Sequence, residues 1–176
     1  MTATPEFSRP VRIDTLGPTP RQIEIGANEK ERAALARRFA IVQIERLSAE
    51  AALTRRSDHV AAAGRLTAKV TQSCVATGEP VEETVEEEFR IEFRPQPAAT
   101  SEGDEIELNA GELDVVFYDG TAVDIGEAVA ETLSLSLDPY PRAPNAEDAL
   151  RKAGVKSEGE AGAFGALAAL RDKLKP

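Results

Sequence analysis

In two neighbouring stretches of the chain the large apolar residues lie an even number of positions apart, and this pattern restricts the fold more than any other feature. Between residues 59 and 74 the apolar side chains occupy even positions: Val60, Ala62, Leu66, Ala68, Val70 and Cys74. Between residues 81 and 94 they occupy odd positions: Val81, Val85, Phe89, Ile91 and Phe93. Because the side chains of a strand point alternately to opposite faces, each stretch predicts a strand with one buried face. The Gly- and Pro-containing turn at 76–80 joins them into a β-hairpin.

The N-terminal part of the chain predicts two short strands and a helix. Alternation at 11–16 and at 22–25 favours the strands. An Asn followed three residues later by a Glu offers a reciprocal capping box, so a helix is expected over 28–38. The stretch 40–56 combines alanines with β-branched residues, and we interpret it as a strand rather than a helix.

The second half of the chain is less regular. Residues 95–111, rich in Pro, Ala, Ser and acidic residues, predict a mobile loop, and 113–117 predict a further strand. Asp124 with Glu127 repeats the capping pattern ahead of a helix with apolar residues every three or four positions. The prolines at 139–144 end that helix because proline lacks an amide donor.

Together these patterns predict an α+β fold: an antiparallel sheet of about five to seven strands, two packed helices and a peripheral C-terminal amphipathic helix. Residues 1–142 are expected to form a single domain that contains the mobile acidic loop at 95–111. Residues 143–176 are expected to form a flexible linker and then the terminal helix. The apolar stripe of that helix is Phe164, Leu167, Leu170 and Leu174.

The distribution of charge narrows the choice of partner. The net charge is −10, but residues 1–73 hold 12 basic and 8 acidic side chains, residues 74–149 hold 3 and 20, and residues 150–176 hold 6 and 3. Affinity for nucleic acid depends mainly on Lys and Arg, so the acidic middle disfavours phosphate and favours a basic partner. The uneven distribution is compatible with a ribonucleoprotein partner, and a solvated acidic surface is the alternative interpretation.

The sequence carries no sign of export or membrane insertion. Its start lacks the basic residues and apolar stretch of a signal peptide, and no apolar run approaches the length of a membrane span. A single cysteine excludes an internal disulfide and any zinc site built from several thiolates. These features predict a cytoplasmic protein without a membrane partner.

The residue types needed for catalysis or metal binding are scarce. His59 is the only histidine and has the outward phase of its strand, whereas Cys74 has the inward phase, where a thiol packs as a small apolar group. The run of glutamates at 86–88 places carboxylates on both faces of a strand, which favours a solvated edge over an acid–base pair. We therefore predict no catalytic residue, no metal and no cofactor, with a hydrolytic enzyme as the remote alternative.

Three segments of the chain resemble the YceD family, the large ribosomal RNA subunit accumulation proteins of bacteria and plastids. The first is 64–81, a strand that leads into the cysteine turn, followed by a strand that ends in Phe-x-x-x-Phe at 89–93. The second is the acidic helix with its proline-ended apolar tail at 123–139, and the third is the Phe-x-x-Leu-x-x-Leu pattern at 164–171. The resemblance implies a role in the accumulation of large-subunit ribosomal RNA, and hence in ribosome biogenesis.

The chain departs from the family at one point. Many members carry Cys-x-x-Cys at the turn and a further cysteine after the apolar tail, a set that suggests a metal. Here Thr77 occupies the place of the second cysteine, and residues 139–144 contain none. A metal is therefore not carried over to Cys74.

The resemblance implies a process but no particular contact, so two sets of residues are candidates. The favoured hypothesis is binding to a ribosomal protein or a large-subunit assembly intermediate through acidic side chains and the terminal helix. Its residues are Glu82, Glu86, Glu88, Asp124, Glu127, Glu131, Phe164, Leu167 and Leu170. The alternative is direct binding of ribosomal RNA by basic side chains. Its residues are Arg37, Arg38, Arg55, Arg56, Arg65 and Lys69.

Overall fold

The structure is a computed structural model that describes residues 5–96 and 114–155. The strands in these ranges are β1 (Pro10–Arg12), β2 (Arg21–Gly26), β3 (Gln43–Arg56), β4 (His59–Ser73), β5 (Pro80–Pro95), β6 (Asp114–Tyr118) and β7 (Ala122–Asp124). The helices are α1 (Glu29–Arg38), α2 (Ile125–Ser136) and α3 (Ala146–Lys152), with a short 3-10 helix at Ile13–Thr15. The terminal helix and most of the acidic loop that the sequence predicts lie outside the described residues.

Five strands form a mixed sheet in the order β2-β3-β4-β5-β6, and β1 pairs with β7 in a separate two-stranded sheet. β3 runs antiparallel to both β2 and β4, whereas β5 and β6 are parallel. The α+β class is therefore confirmed, and the parallel pair departs from the wholly antiparallel sheet that the sequence predicts. Alternation within a strand reports which face is buried, but the connecting segment decides the direction of the neighbouring strand.

The hairpin predicted from alternation is present, because β4 and β5 are adjacent in the sheet. On β4, Leu66 and Val70 are fully buried, while Ala63 and Arg65, which precede Leu66 with the opposite phase, are exposed. On β5 the buried side chains are Val85, Phe89, Ile91 and Phe93. The strand at 40–56 is also confirmed as β3, so the β-branched residues outweigh the helix propensity of its alanines once one face is buried.

Helix α1 begins and ends as its sequence predicts. The Asn28 side chain accepts a hydrogen bond from the Glu31 amide at 3.1 Å, and the Glu31 carboxylate accepts one from the Asn28 amide at 2.7 Å. This capping box satisfies two of the free amides at the helix start. After the last turn Ala40 has φ 55°, and the Ile41 amide donates to the Ala36 carbonyl at 3.0 Å, which closes the helix in a Schellman geometry.

The stretch 11–16 is only partly a strand. β1 ends at Arg12, where the Thr15 hydroxyl donates to the Arg12 carbonyl at 2.7 Å and the Leu16 amide donates to the Ile13 carbonyl at 3.1 Å. Such local bonds offer the backbone an alternative to a sheet ladder. The prediction of a continuous strand is therefore wrong beyond Arg12.

The chain divides into two compact units. The large unit comprises Met1–Gln72 and Glu82–Asp138. Its core packs Leu35 of α1 and Leu133 of α2 in one cluster with sheet residues such as Leu66. The second unit, which we call the cysteine unit, comprises Ser73–Val81 and Pro139–Pro176. It contains α3, in a segment where the sequence predicts a linker.

No helix in residues 5–96 or 114–155 is both long and apolar enough to cross a membrane.

Candidate functional site

The most acidic part of the described chain lies on a half of β5 that lacks a second neighbouring strand. β6 pairs only with residues 91–95 of β5. Within the described ranges, the remaining part of β5 is therefore flanked by β4 alone. This part carries five glutamates at 82, 83, 86, 87 and 88, and we call residues 82–88 the acidic edge. The solvated edge that the sequence predicts at 86–88 is present, since Glu86, Glu87 and Glu88 are all exposed.

The charge of the acidic edge is only partly neutralised. Arg65 of β4 donates to Glu88 at 2.6 Å and lowers the pKa of that carboxyl. The Lys69 ammonium lies 2.8 Å from Glu45 and 3.4 Å from Glu82. Glu83, Glu86 and Glu87 form no ion pair with any described residue, so the acidic edge keeps an excess of negative charge.

Among the acidic candidates of α2, Asp124 has a structural role. Its carboxylate accepts hydrogen bonds from the amides of Gly126 at 3.0 Å, Glu127 at 3.2 Å and Arg9 at 2.7 Å. The Ser8 hydroxyl donates to it as well. Asp124 thus caps α2 and fastens the N-terminal segment to the helix, which leaves it few free lone pairs for a partner.

The other two acidic candidates of α2 lie beside Arg38. The guanidinium of Arg38 donates to Glu127 at 2.7 and 3.0 Å and to Glu6 at 3.1 Å. Partial burial, followed by the charge of Glu127, raises the pKa of Glu131. These contacts tie α1, α2 and the N-terminal segment together, and Glu127 faces a cation of its own chain.

The basic candidates do not form one positive surface. Arg38, Arg65 and Lys69 each pair with a carboxylate, as described above. Arg55 donates to the carbonyls of Ser57 at 2.7 Å and Ile13 at 3.2 Å. Only Arg37 and Arg56 make neither a hydrogen bond nor an ion pair with the described residues. The sequence shows how many cations there are, but cross-strand contacts decide which of them remain available.

An apolar side chain that the sequence analysis did not single out lies close to the acidic edge. Leu135 of α2 is 84% exposed. It lines an open depression of about 520 Å³ together with Glu87, Glu88, Asp114 and other residues of β5 and α2. The signal was available in the sequence, because Leu135 lies two positions from Leu133 and therefore off the buried face of the helix.

The cysteine turn is ordered by its own hydrogen bonds. The Gly78 amide donates to the Cys74 carbonyl at 2.9 Å, and the Cys74 amide donates to the Glu79 carbonyl at 2.8 Å. The buried thiol sulfur accepts a hydrogen bond from the Ala143 amide at 3.2 Å. This bond, followed by one from the Thr77 side chain, lowers the pKa of the Cys74 thiol to about 7.

The described residues contain no group of three or more His, Cys, Asp and Glu side chains placed to hold a metal ion. His59, the one histidine of the chain, lies with Nδ1 3.0 Å from Glu92 Oε1 and Nε2 3.5 Å from Asp58 Oδ1. A nucleophilic hydroxyl or thiol is not among the groups that contact this imidazole within the described ranges.

The arrangement is therefore that of an α+β protein with an open sheet, an acidic edge and a separately ordered cysteine turn. A family model described as "Large ribosomal RNA subunit accumulation protein YceD" matches residues 62–171. The chain belongs to the YceD family, and its role lies in ribosome biogenesis. The match includes most of β4, all of β5 and the whole of α2, so the acidic edge and the cysteine turn both lie inside it. Neither the curated proteins nor the solved structures gave a match.

Proposed function

We propose that the protein is a cytoplasmic, non-enzymatic factor that promotes accumulation of large-subunit ribosomal RNA by binding a basic ribosomal protein or ribonucleoprotein surface. The observation that carries the proposal is the acidic edge, where Glu83, Glu86 and Glu87 form no ion pair with the described residues. Basic surfaces are attracted to such a patch, and complementary charge raises the association rate and selects the partner.

The position of these glutamates supports a binding role. An edge strand presents free backbone donors and acceptors, and a partner segment can add to it as a further strand. Charged side chains on an edge also prevent unwanted self-association, which is the simplest alternative explanation for the glutamates. Exposed Leu135, beside the acidic edge, adds an apolar contact that edge protection does not require.

A double charge reversal tests the acidic edge. The variant E86K/E87K should reduce capture of large-subunit assembly intermediates from cells about tenfold, because it replaces attraction by repulsion. The matched control is E24K/E50K, which changes the charge equally at another exposed pair of the sheet, where Glu24 and Glu50 face each other across β2 and β3. Co-purified ribosomal proteins and ribosomal RNA are measured by mass spectrometry and by RNA sequencing.

The same experiment can refute the proposal. If E86K/E87K and E24K/E50K are captured equally, the glutamates only protect the edge. The proposal also requires that cells lacking the protein lose more large-subunit than small-subunit ribosomal RNA. Turnover in a broad hydrolase screen would overturn the non-enzymatic part.

The terminal apolar stripe is proposed as a second contact with the same partner. Phe164, Leu167 and Leu170 recur at helical spacing, which suits docking of a helix into a groove of another protein. Deletion of residues 158–176 should abolish capture of the assembly intermediate and leave the melting temperature within a few degrees. A large fall in melting temperature would show instead that these residues belong to the core.

A further inference from the structure

A small depression opens on the outer face of the sheet, where β3, β4 and β5 lie side by side. Its volume is about 330 Å³, at the lower end of the range for small-ligand sites. Its lining includes Thr54, Arg56, His59, Ala61, Ala63, Arg90 and Glu92. These residues all belong to the large unit, and none of them lies on the acidic edge.

The register of the strands explains the shape. Arg56 lies opposite His59, and Thr54 lies opposite Ala61 in the β3–β4 pair. The contact between His59 and Glu92 places β5 on the other side of β4. Arg56 of β3 and Arg90 and Glu92 of β5 therefore lie around a floor formed by Thr54 of β3 and the methyl groups of Ala61 and Ala63 of β4.

Two cations line the depression. The side chains of Arg56 and Arg90 make neither a hydrogen bond nor an ion pair with any residue in the described ranges, although the charge of Arg90 contributes to the lowered pKa of the Glu88 carboxyl. The carboxylates nearby already have partners, since Glu92 accepts from Arg94 at 2.9 Å and lies 3.0 Å from His59, and Glu88 accepts from Arg65. In a protein of net charge −10, this is a local excess of positive charge beside an apolar floor.

The imidazole ring of His59 is held in place by contacts at its two ring nitrogens. Its two ring nitrogens lie 3.0 Å from Glu92 and 3.5 Å from Asp58, and its side chain is 42% exposed. An imidazole fixed at the edge can still stack through its face. Histidine and arginine planes are among the groups on which unpaired RNA bases stack.

We propose that this depression binds one nucleotide of single-stranded RNA. Arg56 and Arg90 approach the phosphate from two sides, since guanidinium groups form charge-assisted hydrogen bonds to phosphate oxygens. The base lies on the floor formed by Thr54, Ala61 and Ala63 and stacks on His59. A carboxylate of an acidic peptide would use the two cations but would leave the flat apolar floor and the imidazole without a role.

The site goes beyond the protein contact proposed for the acidic edge. A factor with both would contact a protein through the acidic edge and an unpaired stretch of RNA through this depression. A substitution can abolish one contact and leave the other intact, because the two sets of residues are different. The basic side chains that the sequence offers for direct RNA binding include Arg56, which the proposed site uses. The second arginine of the site, Arg90, comes from the acidic middle of the chain.

Fluorescence anisotropy with a labelled short oligouridylate tests the site. The double variant R56Q/R90Q should bind about a hundredfold more weakly, at about tenfold for each lost charge-assisted contact. The slope of log affinity against log salt should also fall by about 1.4, which corresponds to two phosphate contacts on a single strand. The matched control R46Q/R142Q removes the same charge at two exposed positions outside the depression and should stay within about threefold of the original affinity.

A second experiment tests where the base of the nucleotide binds. Titration with uridine monophosphate should shift the nuclear magnetic resonance signals of Ala61 and Ala63, and His59→Ala should weaken oligouridylate binding about tenfold by removing the stacking surface. The proposal is overturned if R56Q/R90Q and R46Q/R142Q lose equal affinity, if those alanine signals do not move, or if the wild-type protein does not bind the oligonucleotide. Variant E86K/E87K should lose capture of the assembly intermediate and keep RNA binding, so the two proposals are separated.

Discussion

The two compact units are stabilised in different ways. The large unit buries a continuous cluster of branched and aromatic side chains, with Leu66, Val129 and Leu133 completely inaccessible. Among its described residues, the cysteine unit has a small buried cluster of Cys74, Ala143 and Ala146, against which Ala76 and Val81 pack. Burial of apolar area stabilises the first unit, whereas the described residues of the second bury little apolar surface, so backbone and thiol hydrogen bonds contribute a larger share among them.

The comparison also bears on the single cysteine of this chain. A segment with a very small core gains most from a cross-link or a metal, as small domains generally do. In this chain one thiol remains, and its sulfur accepts the Ala143 amide at 3.2 Å. That hydrogen bond links the turn to the segment after Asp138 without a second cysteine.

The largest effect should come from truncating the core of the large unit. Leu66→Ala removes a fully buried side chain from the central strand and should cost about 2–5 kcal/mol of unfolding free energy, through lost burial and the remaining cavity. Urea denaturation measures it. Cys74→Ala in the cysteine unit is the matched change and should cost about 1 kcal/mol. Equal losses for both variants would break the comparison between the units.

A somewhat smaller loss of unfolding free energy is expected at Gly64, which lies close to the backbone of β3 and to the ring of Phe89. A Cβ at Gly64 would collide with the carbonyl oxygen of Glu50 and would lie 2.8 Å from the ring of Phe89. Gly64→Ala should therefore cost about 1–3 kcal/mol by overpacking. Gly26→Ala serves as the control, because its Cβ would lie 3.7 Å from the nearest atom and should change stability by about 0.5 kcal/mol or less.

The stability of the cysteine unit should depend on pH, whereas that of the apolar core should not. Hydrogen bonds from Ala143 and Thr77 lower the pKa of the folded thiol to about 7, below its ordinary value of about 9. The folded state then holds fewer protons than the unfolded state between these values, so the contribution of the thiolate is complete above pH 9 and is lost as the pH falls to 7. The protection factors of the Gly78 and Ala143 amides, which are corrected for the faster intrinsic exchange at high pH, should increase as the pH rises from about 7 to about 9.

The control for that titration removes a single donor. Thr77→Val has nearly the same shape but no hydroxyl, so the midpoint of thiolate absorbance should move upward from about 7. If the wild-type thiol titrates at its ordinary value, the hydrogen bonds do not stabilise the thiolate, and the stated basis of the cysteine unit is wrong.

The smallest effect should be an increase in unfolding free energy, from a change at the end of α1 in the large unit. Ala40 closes α1 with φ 55°, a conformation that costs an L-residue more than glycine. Ala40→Gly should raise the unfolding free energy by about 0.5–1 kcal/mol, measured by thermal denaturation. Ala36→Gly, inside the same helix, should lower it by at least a similar amount and excludes a general effect of glycine.

Much of the fold could be predicted because its signals are local. The capping box of α1, the alternation of β4 and β5 and the proline-rich end of α2 each depend on residues within a few positions of one another. The acidic edge was visible as a run of glutamates, but the sequence did not show which half of β5 has no second neighbouring strand among the described residues. Which half that is depends on the pairing of β6 with residues 91–95.

The sequence by itself determined the long strands, helices α1 and α2, the family and the excess of acid, since periodicity, capping and composition are properties of the chain alone. Only the tertiary structure decided which charges remain free. Arg65 and Lys69 are neutralised across strands, whereas Arg56 and Arg90, 34 positions apart, flank one depression. The same holds for Cys74, whose hydrogen-bond donor Ala143 lies far along the chain. Side-chain electrostatics depend on distance in space, and register and packing set that distance.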